Sequence, residues 1–377
     1  LAAGAAAAGI AVSDRDGDRK PPGRQTHRPH RSHQPAGVPA HLNVYAHTMA
    51  GMFTPVTRRA RYLVYAPDSQ GDGVYVIDPR RSRVIRYIQT GAVVQHVVPA
   101  WDLRTLYATN DVGNSLTPID PNTGRRAGPN IAVPDPYNLY FTPDGRHAIV
   151  VQESLDRLSF RDPHTFALQK ALTVRCAGVD HMDFSADGTF AVASCEFSGQ
   201  LVRVDLRTET VSGYLHVGGS PQDVKLSPDG RTFYVANRSL PTLGGSFTTS
   251  GVQLIDAQTF RLIKFIPTAA DAHGLYVSRN TKDLYVTDRA GEAITVIDFT
   301  TRRKIAVWRV PGTPDMGNLS PDGKTLWVSS RYTSAVLVIS TRTGRLVASI
   351  PAGVSPHGVC VWPQPGRYST GHTGVMR

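Results

Sequence analysis

A chain of 377 residues with 41% hydrophobic content carries enough apolar mass for one large buried core, which excludes a mainly disordered protein. Its net charge is +11, and residues 1 to 42 contribute +3 of it through six Arg or Lys against three Asp, so +8 is left on the remainder. That excess is modest and dispersed, and no basic stripe with interleaved aromatic residues runs through the chain, so nucleic acid is not the expected partner.

Leu1 to Val12 is an unbroken run of Ala, Gly, Leu, Ile and Val. It is too short to span a bilayer and resembles the end of a signal-peptide apolar region, so an exported protein with no membrane span in its mature chain is expected. A flexible Ala-rich leader is the alternative. Residues 13 to 42, rich in Pro, Arg, His, Gly and Asp, read as a disordered linker, and His27, His30 and His33 within it as solvated residues.

From residue 43 the chain repeats itself. Apolar runs begin near Gln95, Tyr137, Asp180, Gln222, His273, Asp315 and His357, at intervals of 42, 43, 42, 51, 42 and 42 residues. Each is followed by a Pro-Asp-Gly-type turn or its equivalent and a second apolar run. Repeats of this length built from short strands predict an all-β fold, a β-propeller of seven four-stranded blades. Labelling strands A to D from the innermost outward, the long interval holds an insertion at Ser239 to Ser250, read as a surface loop. After the last A strand, Gly358 to Trp362, no B, C and D strands follow, whereas Tyr62 to Ala66, Val74 to Asp78 and Val84 to Gln89 precede the first A strand. The two ends of 43–362 therefore build one blade together, which removes free sheet edges. Residues 363–377 form a tail with no blade to join, and a closed ring is expected to be a monomer.

The three cysteines permit one bridge. Cys176 precedes one A strand and Cys195 ends the adjoining B strand, so antiparallel pairing about Ala186-Asp187-Gly188 brings them together and leaves Cys360 buried.

The segments Phe233-Tyr234-Val235-Ala236-Asn237, Leu284-Tyr285-Val286-Thr287-Asp288 and Ile294-Thr295-Val296-Ile297-Asp298 resemble the YVTN β-propeller repeat. The chain from about 43 to 362 is similar to YncE-like seven-bladed proteins. The resemblance implies the fold and an exported setting; similar propellers include lactonases, and the copper-binding propeller of nitrous oxide reductase is a more distant relation in shape. That copper site uses more histidines than the four available here.

Recurrent acids are structural on this reading. Asp78, Asp120, Asp162, Asp205, Asp256 and Asp298 end C strands, and Asp144, Asp187, Asp229 and Asp322 precede turn glycines, where Asp bonds nearby amides. Two other columns meet at the opposite face, near the central funnel. The first pairs each A-strand start with its neighbour, as in Gln95-His96, Tyr137-Asn138, Asp180-His181, His273-Gly274, Asp315-Met316 and His357-Gly358. His96, His181, His273 and His357 are candidate transition-metal ligands, although they fall in two registers and need not converge. The second column reads Asp68, Asp111, Glu153, Glu196, Arg238, Arg289 and Arg331, four acids followed by three bases. The arginines can grip carboxylate or phosphate, and the acids an amine or hydroxyls; salt bridges between neighbouring loops are the alternative.

Two functions follow. One is an exported module binding a small anionic or zwitterionic molecule, a cell-envelope component or a protein through Arg238, Arg289, Arg331, His273, Asp315, His357, Asp180, His181, Glu196, Asp111 and Glu153. The other is a lactonase-like hydrolase or lyase, possible with a metal, using His273 or His357 as general base and arginines at an oxyanion.

Overall fold

A computed structural model describes residues 42–238 and 250–377; the apolar leader, the linker up to residue 41 and most of the 239–250 insertion lie outside the described residues. Seven antiparallel sheets form a ring. The inner strands of blades 1 to 6 are Val94–Pro99, Asn138–Phe141, Val179–Phe184, Ser220–Leu226, Ala272–Val277 and Pro314–Leu319. Blade 7 takes its inner strand, Cys360–Trp362, from the end of the repeats and Leu63–Asp68, Gly73–Asp78 and Arg83–Gln89 from the beginning. Leu63 pairs with Trp362 and Tyr65 with Cys360, the expected closure.

Sequence alternation explains the packing. Inner and middle strands are buried on both faces because each sheet is sandwiched between neighbours, so they read as nearly continuous runs of Val, Ile, Leu and Tyr. Outer strands such as Thr210–His216 alternate half-buried and exposed residues, as an edge half in water requires. Seven apolar clusters result, one at each blade interface; Tyr140, Ile149 and Phe160 of blade 2, for example, pack against Phe184 and Ala193 of blade 3. The recurrent acids hold turns: the Asp120 and Asp205 carboxylates each accept an amide hydrogen bond of 2.8 Å from two residues on.

The sulfurs of Cys176 and Cys195 are bonded across blade 3, with Cα atoms 5.8 Å apart, and Cys360 is buried.

The tail departs from expectation. Rather than lacking a blade, Ser369–Gly371 adds to the inner edge of blade 2, with Gly371 opposite Tyr140, and Val375–Met376 folds back on it. Gly371 has φ +104°, and a Cβ there would lie 2.4 Å from the Leu139 carbonyl, so only glycine lets the tail approach this closely. Thr373 Oγ1 donates to the Gly317 carbonyl of blade 6 (2.7 Å) and Arg377 pairs with Asp183 of blade 3 (2.6 Å), so the tail crosses the channel. Among the described residues no helix is long and apolar enough to cross a membrane.

Candidate functional site at the central channel

The two registers of the first column are reconciled by the backbone. In blades 1, 3, 4, 5 and 6 the pairing of strands A and B slips by one residue at the column, between Val94 and Val97 in blade 1 and between Val179 and Met182 in blade 3. Such a β-bulge re-aims side chains, so either residue of the pair reaches the channel. A hydroxyl on strand B accepts the freed amide: Thr109 from His96 (3.0 Å), Ser194 from His181 (3.1 Å), Thr287 from Gly274 (2.7 Å) and Ser329 from Met316 (3.1 Å).

The histidines consequently meet. Ring centroids lie 4.9 Å apart for His96 and His357, 5.5 Å for His96 and His181, and 6.3 Å for His273 with both His181 and His357. A fifth imidazole, His372 of the tail, lies 4.8 Å from His181 and 5.3 Å from His96. All five are buried. Burial disfavours their charged forms and lowers every one of their pKa values, that of His96 to about 3, so they stand as neutral donors.

Two of the carboxylates in the channel stand in opposite states. Burial would raise Asp315, but His273 Nδ1 at 2.9 Å and Arg289 Nη1 at 3.6 Å outweigh it and hold the group ionised. His273, Asp315 and His357 place donor atoms within 4.8 Å of one another. Asp180, by contrast, is raised well above the usual range by burial and by Glu196 and Glu153. It sits 3.2 Å from His181 Nε2 without hydrogen-bond alignment.

At the mouth, the second column divides into structural and unsatisfied members. Asp68 is structural, accepting the amides of Val354 (2.9 Å) and Ser355 (2.8 Å). Glu196 pairs with Arg238 (2.9 Å) where the signs change, as a loop salt bridge would. Repulsion between Arg238 and Arg289 is relieved by Asp271, which binds both at 2.5 and 3.0 Å. The cationic arc expected from sequence is therefore largely neutralised from within. Arg331 alone of the three has no carboxylate partner among the described residues, and its charge reaches Glu153, Tyr137, His96 and His357.

Facing it, Glu153, Asp111 and Asp135 crowd together without an ion pair among the described residues. Burial and then the neighbouring acids Glu196, Asp111 and Asp135 push Glu153 up to about 8, while burial raises Asp111 to about 6 despite a 3.2 Å hydrogen bond from Gln95. Glu153 is thus substantially protonated near neutrality.

Sequence reading placed Asn138 in the first column and missed His372, Asp135 and Asp271. Asp135 and Asp271 both lie two residues before an A-strand start, so self-alignment contained a third column. His372 had no such signal, lying past the last repeat between Gly371 and Gly374.

A family model for YncE-like β-propellers matches residues 38–366. The chain belongs to that family. It is 32% identical over 115 residues to the protein YncE of Salmonella typhi, an alignment covering 29% of this chain and 32% of that protein. It is 26% identical over 255 residues to a dihydro-heme d1 dehydrogenase of Pseudomonas aeruginosa, covering 64% of this chain and 48% of the relative. The matches thus span a third to a half of those relatives' lengths. Among solved structures, the propeller resembles hydrazine synthase of Kuenenia stuttgartiensis, with TM-score 0.63, 19% identity, 74% of this chain and 92% of that one. It also resembles a dihydro-heme d1 dehydrogenase in complex with DHE, with TM-score 0.60, 17% identity, 82% of this chain and 77% of that one. These structural likenesses reflect the fold.

Proposed function

We propose that this is an exported, monomeric propeller whose channel mouth binds a small anionic or zwitterionic molecule, free or borne by a cell-envelope component or protein. The observation carrying this reading is the position of Arg331: an arginine without a carboxylate partner, set against the carboxyl groups of Glu153 and Asp111, which likewise have no ion pair among the described residues. An anionic group on Arg331 and an amine or hydroxyl on Asp111 and Glu153 satisfy both at once. The relative named for acting on dihydro-heme d1 supports a ligand-handling role for this architecture.

Beneath the mouth, two neutral imidazoles and an ionised carboxylate, His273, His357 and Asp315, make a donor set suited to Zn, Cu, Ni or Fe. An ion there would polarise a molecule seated above it, and this keeps open the second reading, a metal-dependent hydrolase or lyase. The neutral state of His273 and His357, caused by burial, is the state a base or a metal ligand requires.

Thermal-shift measurement with a panel of amino acids, dicarboxylates, phosphate esters and lactones tests the mouth. A hit that raises Tm in the wild type and not in Arg331→Ala supports the assignment; a shift unchanged by Arg331→Ala places the ligand elsewhere. Turnover of a lactone that survives His357→Ala removes that residue from any catalytic role.

A further inference from the structure

The outer strands of blades 4 and 5 are Arg261–Pro267 and Arg303–Arg309. Each pairs with its neighbour through a one-residue slip, between Leu254 and Ile255 in blade 4 and between Val296 and Ile297 in blade 5, which leaves Ile263 and Ile305 as the extra residues. A bulge of this kind turns the extra side chain away from the ladder. The same slip recurs in blades 2, 3, 6 and 7, where the extra residue is Gln169, Ser212, Val347 and Ile85. The position is therefore polar in blades 2 and 3 and aliphatic from blade 4 to blade 7. Ile85 is half-buried, whereas Ile263, Ile305 and Val347 are 46%, 58% and 61% exposed.

Apolar exposure continues around the bulges of blades 4 and 5, where Leu262, Phe265 and Val307 also face solvent. Lys264 Nζ donates to the Arg302 carbonyl across the blade boundary at 2.6 Å, so the two strands make one surface. Interleaved with the apolar side chains stand Arg261, Lys264, Arg303, Lys304 and Arg309, all exposed, and neither strand contains a carboxylate. None of these five cations has an ion pair among the described residues. On the rim of blades 2 and 3, by contrast, Lys170 pairs with Glu209 at 3.7 Å. Charges and bulges on an outer strand guard against edge-to-edge pairing, which accounts for the cations. That device does not call for isoleucine, since Gln169 and Ser212 fill the same bulge. A contiguous exposed apolar patch marks a surface that meets something.

We infer that the rim of blades 4 and 5 is a docking surface for an anionic phospholipid membrane. The aliphatic side chains enter the boundary between headgroups and acyl chains while the Arg and Lys beside them meet lipid phosphates, a combination that holds peripheral proteins on anionic bilayers. Charge decides among occupants. A second copy of this chain would bring the same cations together with no counter-charge. Single-stranded nucleic acid needs aromatic platforms for its bases, but the exposed apolar residues here are aliphatic except Phe265, and Trp308 is half-buried against Tyr285 with ring centroids 5.3 Å apart. The surface lies on the outside of the ring, apart from the channel, and does not rest on the reading of the mouth.

Co-sedimentation of the full chain with vesicles tests this, using phosphatidylcholine alone and equal parts of phosphatidylcholine and phosphatidylglycerol. The wild type is expected to pellet with the anionic vesicles and to stay in solution with the neutral ones. Ile263→Ser combined with Ile305→Ser, which puts the blade 3 residue at both bulges, should weaken the partition about tenfold. Arg303→Gln combined with Lys304→Gln should weaken it about tenfold or more, and added salt should act in the same direction. Arg175→Gln combined with Arg207→Gln removes the same charge from exposed positions on blades 2 and 3 and should stay within about twofold of wild type. Circular dichroism confirms the fold of each variant. A wild type that ignores anionic vesicles overturns the inference and turns the patch over to an acidic protein partner. Isoleucine variants that bind as wild type does overturn it as well. So does an Arg175 and Arg207 variant that loses as much as the Arg303 and Lys304 one, because net charge or the basic linker would then be making the contact.

Discussion

Asn138 and His372, separated by 234 residues, meet at 3.0 Å in the centre of the ring. Asn138 belongs to the inner strand of blade 2, and His372 to the tail strand that has added itself to that blade. The contact shows that the channel is built by repeats and non-repeating tail together. His372 owes its place to its neighbour Gly371, whose backbone permits the close pairing with Tyr140.

Replacing that glycine should therefore unseat the tail. Gly371→Ala forces a Cβ to 2.4 Å from both the Leu139 carbonyl oxygen and Tyr140 Cα in a left-handed conformation. The expected result is a folded ring, destabilised by about 2–3 kcal/mol in denaturant unfolding, with faster amide exchange over 369–376. Unaltered exchange there would show that the tail is held mainly by Thr373 and Arg377.

Asp271 should prove a structural residue of the mouth. Asp271→Asn removes the carboxylate shared by Arg238 and Arg289 and leaves Arg289, buried to 4% side-chain exposure, with only Asp315 at 3.6 Å. A loss of about 2–4 kcal/mol in urea unfolding is expected. Arg331→Ala, with no partner to lose among the described residues, should stay within about 0.5 kcal/mol of wild type.

The mouth acids carry a pH signature. Glu153 is raised to about 8 in the fold, so between its unfolded value of 4.5 and about 8 the native state binds more protons than the unfolded chain. Stability from this group is fully present at low pH and is lost as pH rises through that window. Glu153→Gln, which cannot ionise, should match wild type at pH 4 to 5 and exceed its Tm by roughly 2–4 °C at pH 8.5 in metal-free protein. Equal melting at the higher pH would mean that a cation, solvent or a ligand neutralises the cluster.

Thiol chemistry gives a count. With Cys176 and Cys195 bonded, Ellman's reagent should find one thiol per chain in denaturant without reductant and none in native protein. Burial pushes the Cys360 thiol up and keeps it from water. Three thiols in denaturant would show the bridge absent in solution.

How much was legible follows from what the repeat encodes. Strand alternation, Asp-Gly turns and the split blade are local or periodic features, so seven blades and their closure are legible in the sequence alone. Convergence of His96 and His357 could not, because it depends on backbone slips between paired strands. The hydroxyls at Thr109, Ser194, Thr287 and Ser329 mark those slips, and they recur at one repeat position. Pairing of Arg238 and Arg289 through Asp271 was hidden for another reason: charge sorting within one column says nothing of a counter-charge in a third. The tail lay beyond any periodic argument, since a segment outside the repeat has no copies to align with.

The shared blade also sets a clock on synthesis. Tyr65 emerges early, yet its partner Cys360 follows almost 300 residues later, a delay of roughly 15–60 s at about 5–20 residues per second. Through that interval the Leu63–Asp68 edge stays open. Since His372 is made later still, the centre of the channel is the last part of the molecule to acquire its chemistry.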